Sequence, residues 1–277
     1  MAGILWVVAT PIGNLGDWSA RAIATLQSAD LIACEDTRHS GQLLAHAGID
    51  KPLISLNDHN ESGRIEGLLA RLERGEALAL ISDAGTPLIS DPGYKLVKAA
   101  RLSGIEVRPI PGACAAISAL SVSGIPSDRF YFEGFLPAQS AARLKRLHAL
   151  ASQTATLIFY ESTHRIGESL RDLAQALGPD RQAFVGREMT KQFEEYRWAT
   201  LEVLSAHYQD PASESRGEFV LICEGAADQP NGAKTLDAKA LHRALLEELS
   251  PSQAAKVTAK ITGLKRSEIY AWTRLQG

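Results

Sequence analysis

The chain reads as an α/β protein: a parallel, doubly wound first domain, a second α/β domain with a mixed sheet, and a small helical tail. Two observations predict this. Short apolar runs alternate with amphipathic segments through about residue 115, the pattern of strands and helices in a parallel sheet. Further on, two strand-like runs follow each other with only a charged turn between them, which reads as an antiparallel pair.

In the first half, strands are expected near 3–9, 30–34, 52–56, 77–81 and 106–110, and helices near 18–28, 38–47, 60–74 and 93–103. Pro92 stands where the last of these helices begins. Three strand ends run into loops of small residues. They are Thr10-Pro11-Ile12-Gly13-Asn14-Leu15, the long stretch from Ser82 to Gly93, and Pro111-Gly112-Ala113-Cys114-Ala115-Ala116. Such loops at the carboxyl ends of parallel strands let backbone approach a ligand, and open α/β sheets bind ligands there. Neither a Gly-x-Gly-x-x-Gly nor a Gly-Lys-Ser/Thr loop is present, so the dinucleotide and triphosphate fingerprints are missing. Glu35, Asp36 and Arg38 follow the second strand; Asp36 or Thr37 caps the next helix, or the charges face the cleft.

A helix from Ala113 to Ser123 is stopped by Gly124-Ile125-Pro126, and the domain boundary falls in this region. The expected division is 1–117, 118–226 and 227–277. In the second domain, strands are expected near 130–134, 154–160, 182–187, 193–199 and 217–224, with helices near 140–151, 163–176 and 200–207. Arg143, Lys145, Arg146 and His148 give the first of these helices a basic face. Glu161 ends a buried strand. Arg187 to Lys191 form a charged turn, and Gly217 opens the last strand.

Residues 226–235 have linker composition. Beyond them, Asp237 caps a helix to Leu249, Ser250-Pro251-Ser252 opens a second, Gly263 ends it, and a third carries Ile269, Tyr270 and Trp272. From Lys234 onward eight Lys and Arg face four Asp and Glu, a basic tail of about +4 in a chain of net charge −3. Such a tail suits a polyanion or serves as an oligomerisation hairpin.

With 45% apolar and 22% charged residues, the 277-residue chain has the composition of a soluble globular protein. Its apolar runs are too short to span a bilayer, so no membrane partner is expected. The start, Met-Ala-Gly followed by a strand, does not read as a signal peptide. Cys34, Cys114 and Cys223 fit neither a disulfide framework nor a metal site, which points to the cytoplasm and to no metal.

The motifs from Ala9 to Leu15, Cys34 to Arg38, Ser82 to Gly93 and Gly186 to Lys191 together resemble the tetrapyrrole methylase superfamily, and within it the branch that acts on small-subunit ribosomal RNA. The resemblance covers nearly the whole chain, tail included. It implies S-adenosyl-L-methionine held between two α/β domains and a cytidine ribose 2′-hydroxyl in the decoding region as acceptor. It also implies small-subunit ribosomal RNA or the assembled subunit as partner, and a homodimer.

Residue by residue, the resemblance puts Ile12, Gly13, Gly85, Thr86, Ile89, Gly112, Ala113, Cys114, Ala115, Glu161, Arg187 and Gly217 at the cofactor. Thr86 stands where the family has Asp, with Asp83 as the replacement carboxylate. Lys191, Asp36 and Arg38 are the catalytic candidates, with Glu35 a further candidate base. A ribose hydroxyl is a poor nucleophile that gains from a base, and a Lys serves only if burial or nearby Arg lowers its pKa. Arg143, Lys145, Arg146, Lys256, Lys260, Lys265 and Arg266 are the RNA-binding candidates. Methylation of a corrin or porphyrin precursor, or non-catalytic RNA binding in assembly, are the alternative readings.

Overall fold

The computed structural model describes residues 2–57, 59–210, 216–227 and 238–274. Five strands, β1 (Ile4–Val8), β2 (Leu31–Cys34), β3 (Leu53–Ser55), β4 (Ala77–Leu80) and β5 (Glu106–Ile110), form a wholly parallel sheet in the order β3-β2-β4-β1-β5. Between them run α1 (Ala20–Ser28), α2 (Thr37–His46), α3 (Glu61–Glu73) and α4 (Tyr94–Leu102).

The reason these strands read as unbroken apolar runs is visible in their packing. Leu5, Leu31, Ala33, Leu78 and Leu80 meet Leu68 and Leu72 of α3 and Leu96 and Ala100 of α4. Their sequence neighbours Val8, Ile32, Cys34 and Ala79 meet Ala22 and Leu26 of α1 and Leu44 of α2 on the opposite face. In β1, β2 and β4 both faces are covered, so every position is apolar, whereas the edge strand β5 carries exposed Glu106 and Arg108.

A second sheet has the order β6-β7-β10-β8-β9, from β6 (Phe130–Phe135), β7 (Thr156–Ser162), β8 (Gln182–Arg187), β9 (Glu195–Thr200) and β10 (Glu218–Cys223). Only β6 and β7 pair in parallel; β10 is antiparallel to both neighbours, and β8–β9 is the expected antiparallel pair. One face is buried by α6 (Ser140–Leu150), α7 (Ile166–Leu177) and α8 (Leu201–Gln209). The other is covered by α5 (Ala115–Val122), whose Ala116, Ala119 and Leu120 pack on Ile158, Phe184, Val220 and Ile222. The helix that leaves the parallel sheet thus lies on the mixed one, and the division expected at 117 falls inside it.

Residues Met1–Ala226 form one compact unit and Ala227–Gly277 another. In the second, α9 (Ala238–Glu248), α10 (Pro251–Thr262) and α11 (Arg266–Arg274) pack together. Ser250 and Gln253 make a capping box at the start of α10, and Gly263 ends it in the left-handed conformation with φ +73°. His242 of α9 is buried against Thr258 of α10. Most of the expected linker, and the Asp237 cap, lie outside the described residues. Among the described residues no helix is long and apolar enough to cross a membrane.

Candidate active site

The order β4-β1-β5 brings three loops together at the carboxyl ends of adjacent strands. After β1, Thr10 exchanges two backbone hydrogen bonds with Gly85 in the loop after β4, at 2.9 and 3.2 Å. The buried Thr10 hydroxyl donates to the Ser82 carbonyl at 3.2 Å. Thr86 Oγ1 donates to the Ala113 carbonyl at 2.9 Å and so ties the β4 loop to the β5 loop. Gly112 permits the last crossing: a Cβ there would lie 2.8 Å from Ala9 Cβ. Small residues are needed here because three backbones share one place.

The mixed sheet supplies the facing wall. β6 carries a bulge between Phe132 and Gly134, where Gly134 takes φ +75°. That bulge re-aims the strand end and puts Phe135, 56% exposed, at the mouth of the cleft, edge-on to Tyr160 with ring centroids 5.7 Å apart. The cavity so enclosed has a volume of about 430 Å³. Ile12, Gly85, Thr86, Ile89, Cys114, Ala115, Glu161 and Gly217, all expected from the sequence, line it. Among the described residues, four that are not glycine take positive φ, namely Leu88, Ser90, Glu188 and Thr190, and all lie in the two loops bordering the cavity. Such backbone persists only where its surroundings hold it, and it gathers at working sites.

Other expected residues stand behind the wall. Gly13 lies under Lys191: a Cβ at Gly13 would sit 2.3 Å from Lys191 Cγ. Ala113 contributes its carbonyl to Thr86 and Gly112 its close approach to β1. Asp83 accepts from the Asp36 backbone N–H at 3.3 Å. Arg187 is buried away from the cavity lining; its guanidinium donates to the Arg216 carbonyl at 2.7 Å and pairs with Glu195 at 3.2 Å. Glu161 reaches the wall, but its carboxylate accepts from Ser169 Oγ at 2.6 Å and the Ser162 N–H at 2.8 Å and pairs with Arg165 at 3.3 Å. It holds the end of β7 more than it offers a free charge.

The catalytic candidates fare unevenly. Asp36 is the N-cap of α2, accepting from the Arg38 N–H at 2.8 Å, and that hydrogen bond holds its carboxyl below the usual range. The Arg38 side chain is 91% exposed. Neither belongs to the cavity lining. Lys191 Nζ sits 2.8 Å from Glu218, which lines the cavity, and 3.0 Å from Glu188. Burial disfavours the charged ammonium, but hydrogen bonds to Glu218 and Glu188 prevail and raise its pKa above the ordinary value. The lowered pKa that a base role needs is not what this setting provides; Lys191 is a fixed cation at the rim.

One expected RNA contact, Arg143, is also corrected, while the Arg146 side chain stays 39% exposed beside its ion pair. Arg143 is wholly buried, donating to Asp172 at 2.8 Å between α6 and α7. Arg146 forks onto both oxygens of Glu133, at 2.6 and 2.7 Å. Lys145, Lys256, Lys260 and Lys265 are exposed; exposed Arg266 holds Ser252 on its own unit at 2.9 Å.

The sequence reading missed Asp91, Tyr160, Phe135, Ser162, Thr163, His164, Met189 and Glu218 in the lining. Tyr160 accepts from the Ala116 N–H at 3.1 Å and so anchors the first turn of α5 to the second sheet. Burial, foremost, pushes its phenol well above the ordinary value. Thr163 and Gly217 close a reciprocal pair across the cleft floor, at 2.6 and 2.7 Å. Asp91 was legible as part of the Ser82–Gly93 stretch, but nothing local marks which of its residues turns inward.

A doubly wound sheet and a mixed sheet that share one cleft at strand ends describe a two-sheet, ligand-binding enzyme architecture. Residues 5–205 match the family model of Tetrapyrrole (Corrin/Porphyrin) Methylases, and residues 232–273 match that of the RsmI C-terminal HTH domain. A ribosomal RNA small subunit methyltransferase I from Xylella fastidiosa (strain Temecula1) is 54% identical over 97% of this chain and 98% of its own. One from Haemophilus influenzae is 50% identical over 98% and 96%. Among solved structures, a uroporphyrin-III C-methyl transferase from Thermus thermophilus, complexed with S-adenosyl homocysteine, has a TM-score of 0.54 at 16% identity over 79% of this chain and 96% of that one. The chain belongs to the tetrapyrrole methylase family and, within it, to the ribosomal RNA small subunit methyltransferase I family.

Proposed function

We propose that this protein transfers a methyl group from S-adenosyl-L-methionine to the ribose 2′-hydroxyl of a cytidine in the decoding region of small-subunit ribosomal RNA, acting as a homodimer. The observation that carries the reading is full-length similarity, tail included, to proteins named as small-subunit ribosomal RNA methyltransferases, combined with a cavity suited to the donor. Apolar Ile12, Ile89, Met189 and Val220 and the Tyr160 ring suit an adenosine. The first turn of α5, apart from the Ala116 N–H that Tyr160 takes, suits a carboxylate, because helix N-terminal N–H groups lack partners within the helix. Carboxylates in the walls suit a sulfonium.

When bound, the cofactor supplies an electrophilic methyl group. The chain's residues supply position: the stitched loops fix one wall, and the Tyr160–Ala116 bond fixes the other relative to it. Holding oxygen, carbon and sulfur in line provides much of the rate of such a displacement. Lys191, a cation 2.8 Å from Glu218, is suited to an RNA phosphate at the rim rather than to proton removal. Gly13 leaves room for its stem.

The test is calorimetric titration with S-adenosyl-L-methionine. Saturable binding is expected, lost when Ala115→Trp fills the cavity. No binding to a folded, unaltered protein would contradict the reading.

A further inference from the structure

We propose that Asp91 is the general base that takes the proton from the acceptor hydroxyl. The inference deepens the function proposed above and rests on it. Asp91 lies in the cavity lining, whereas Asp36 is engaged as a helix cap and Lys191 is held as a cation. Its loop is aimed by unusual backbone: Leu88 and Ser90 take φ +72° and +69°, and Gly93, with φ +120°, packs so closely that a Cβ would sit 2.7 Å from Leu80 Cδ2. This loop leaves the carboxyl end of β4, at the centre of the ligand cleft. Ser90 touches the mixed sheet at the β6 bulge: a Cβ on Gly134 would lie 3.0 Å from Ser90 Oγ. Asp91 is thereby carried to where the two walls meet.

The groups around it suit the role. Burial raises the Asp91 carboxyl to about 6; the Ser82 hydroxyl opposes this, and Glu35 at the end of β2 and Asp83 at the end of β4 add to it. Tyr160 of β7 senses the Asp91 charge across the cavity, and Cys114 faces Tyr160 from the β5 loop. Glu161, His164 and Glu218 complete the titratable groups of the same lining. A base poised just below neutrality is ionised at working pH yet strong enough to accept a proton. The ribose oxygen gives its proton to the Asp91 carboxylate and forms its bond to the methyl carbon. The carbon–sulfur bond breaks with its electron pair left on sulfur, and Asp91 then releases the proton to water.

Asp91→Asn should lower kcat at least about a hundredfold while the Kd for S-adenosyl homocysteine stays within threefold. In the unaltered enzyme, kcat/KM should fall on an acid limb near pH 6, and the residual activity of Asp91→Asn should lack that limb. Asp91→Glu should recover part of the rate. Carbon-13 spectra of labelled aspartate carboxyls in the unaltered protein should show one group titrating near 6, perturbed by S-adenosyl homocysteine and missing from Asp91→Asn. Transfer by Asp91→Asn within threefold of the unaltered rate, an unchanged acid limb, or absence of that titrating carboxyl would overturn the assignment and leave the proposed function standing. Loss of S-adenosyl homocysteine binding in Asp91→Asn would make the residue a cofactor contact instead and also overturn it. No transfer by the unaltered protein would remove the functional reading first and this inference with it.

Discussion

Two aspartates separate structural from chemical roles at the scale of single residues. Asp36 caps α2, so Asp36→Ala should lower the melting temperature slightly and leave methyl transfer intact. Because its pKa is depressed in the folded state, its contribution is present above the ordinary value of 3.8 and lost as pH falls below it, so the two melting curves should converge there. Loss of transfer with cofactor binding retained would put Asp36 back in the reaction. Asp91 behaves oppositely. Its folded pKa is raised, so its ionisation opposes folding as pH rises from about 4 through about 6. Asp91→Asn should melt higher than the unaltered protein at pH 8, with the gain vanishing near pH 4; a gain that persists there would contradict a buried, ionising Asp91. The loops of the cleft were legible because Gly, Thr and Pro break strands by their backbone chemistry. The inward turn of Asp91 was not, since it depends on left-handed Leu88 and Ser90, and neither residue type announces that conformation.

Helix α6 shows how a charge pattern misleads at the scale of one element. Arg143, Leu147 and Leu150 share one buried stripe, and Arg143 occupies its polar place by meeting Asp172, 2.8 Å away on α7. Ser140 donates to the same carboxylate at 2.8 Å. The spacing of four and three residues between these positions was the available signal, and the basic composition of the segment masked it. Asp172→Ala would take from the buried guanidinium its closest partner and leave it Glu168 at 3.4 Å and the Ala138 carbonyl at 3.2 Å, with an expected loss of about 2–4 kcal/mol by chemical denaturation. A loss under about 1 kcal/mol would show that the pair is not dry. The strands were the easier reading. β1, β2 and β4 are covered on both faces, so they announce themselves as apolar runs, and the β8–β9 hairpin was expected from two runs joined by a charged turn.

For the whole molecule, chemistry is proposed for the cleft of one unit and RNA capture for the basic helices of the other. The cleft belongs to the unit Met1–Ala226, while the exposed Lys256 and Lys260 lie on α10 of the C-terminal unit. Lys256→Glu with Lys260→Glu should weaken RNA binding and lower its salt slope by about two, one for each phosphate no longer neutralised. The same variant should bind S-adenosyl homocysteine unchanged. An unaltered salt slope would remove α10 from the RNA-binding surface. The two-sheet plan followed from periodicity, whereas the far wall of the cleft did not, because Phe135, Tyr160 and Glu218 come from three strands that only the tertiary fold brings to one cavity. The most direct test of the central claim is transfer of labelled methyl from S-adenosyl-L-methionine to small ribosomal subunits lacking the modification, followed by nuclease digestion and mass mapping. Label in a 2′-O-methylated cytidine of the decoding region is the predicted result; label on a base, on another nucleotide, or on no RNA at all would contradict it.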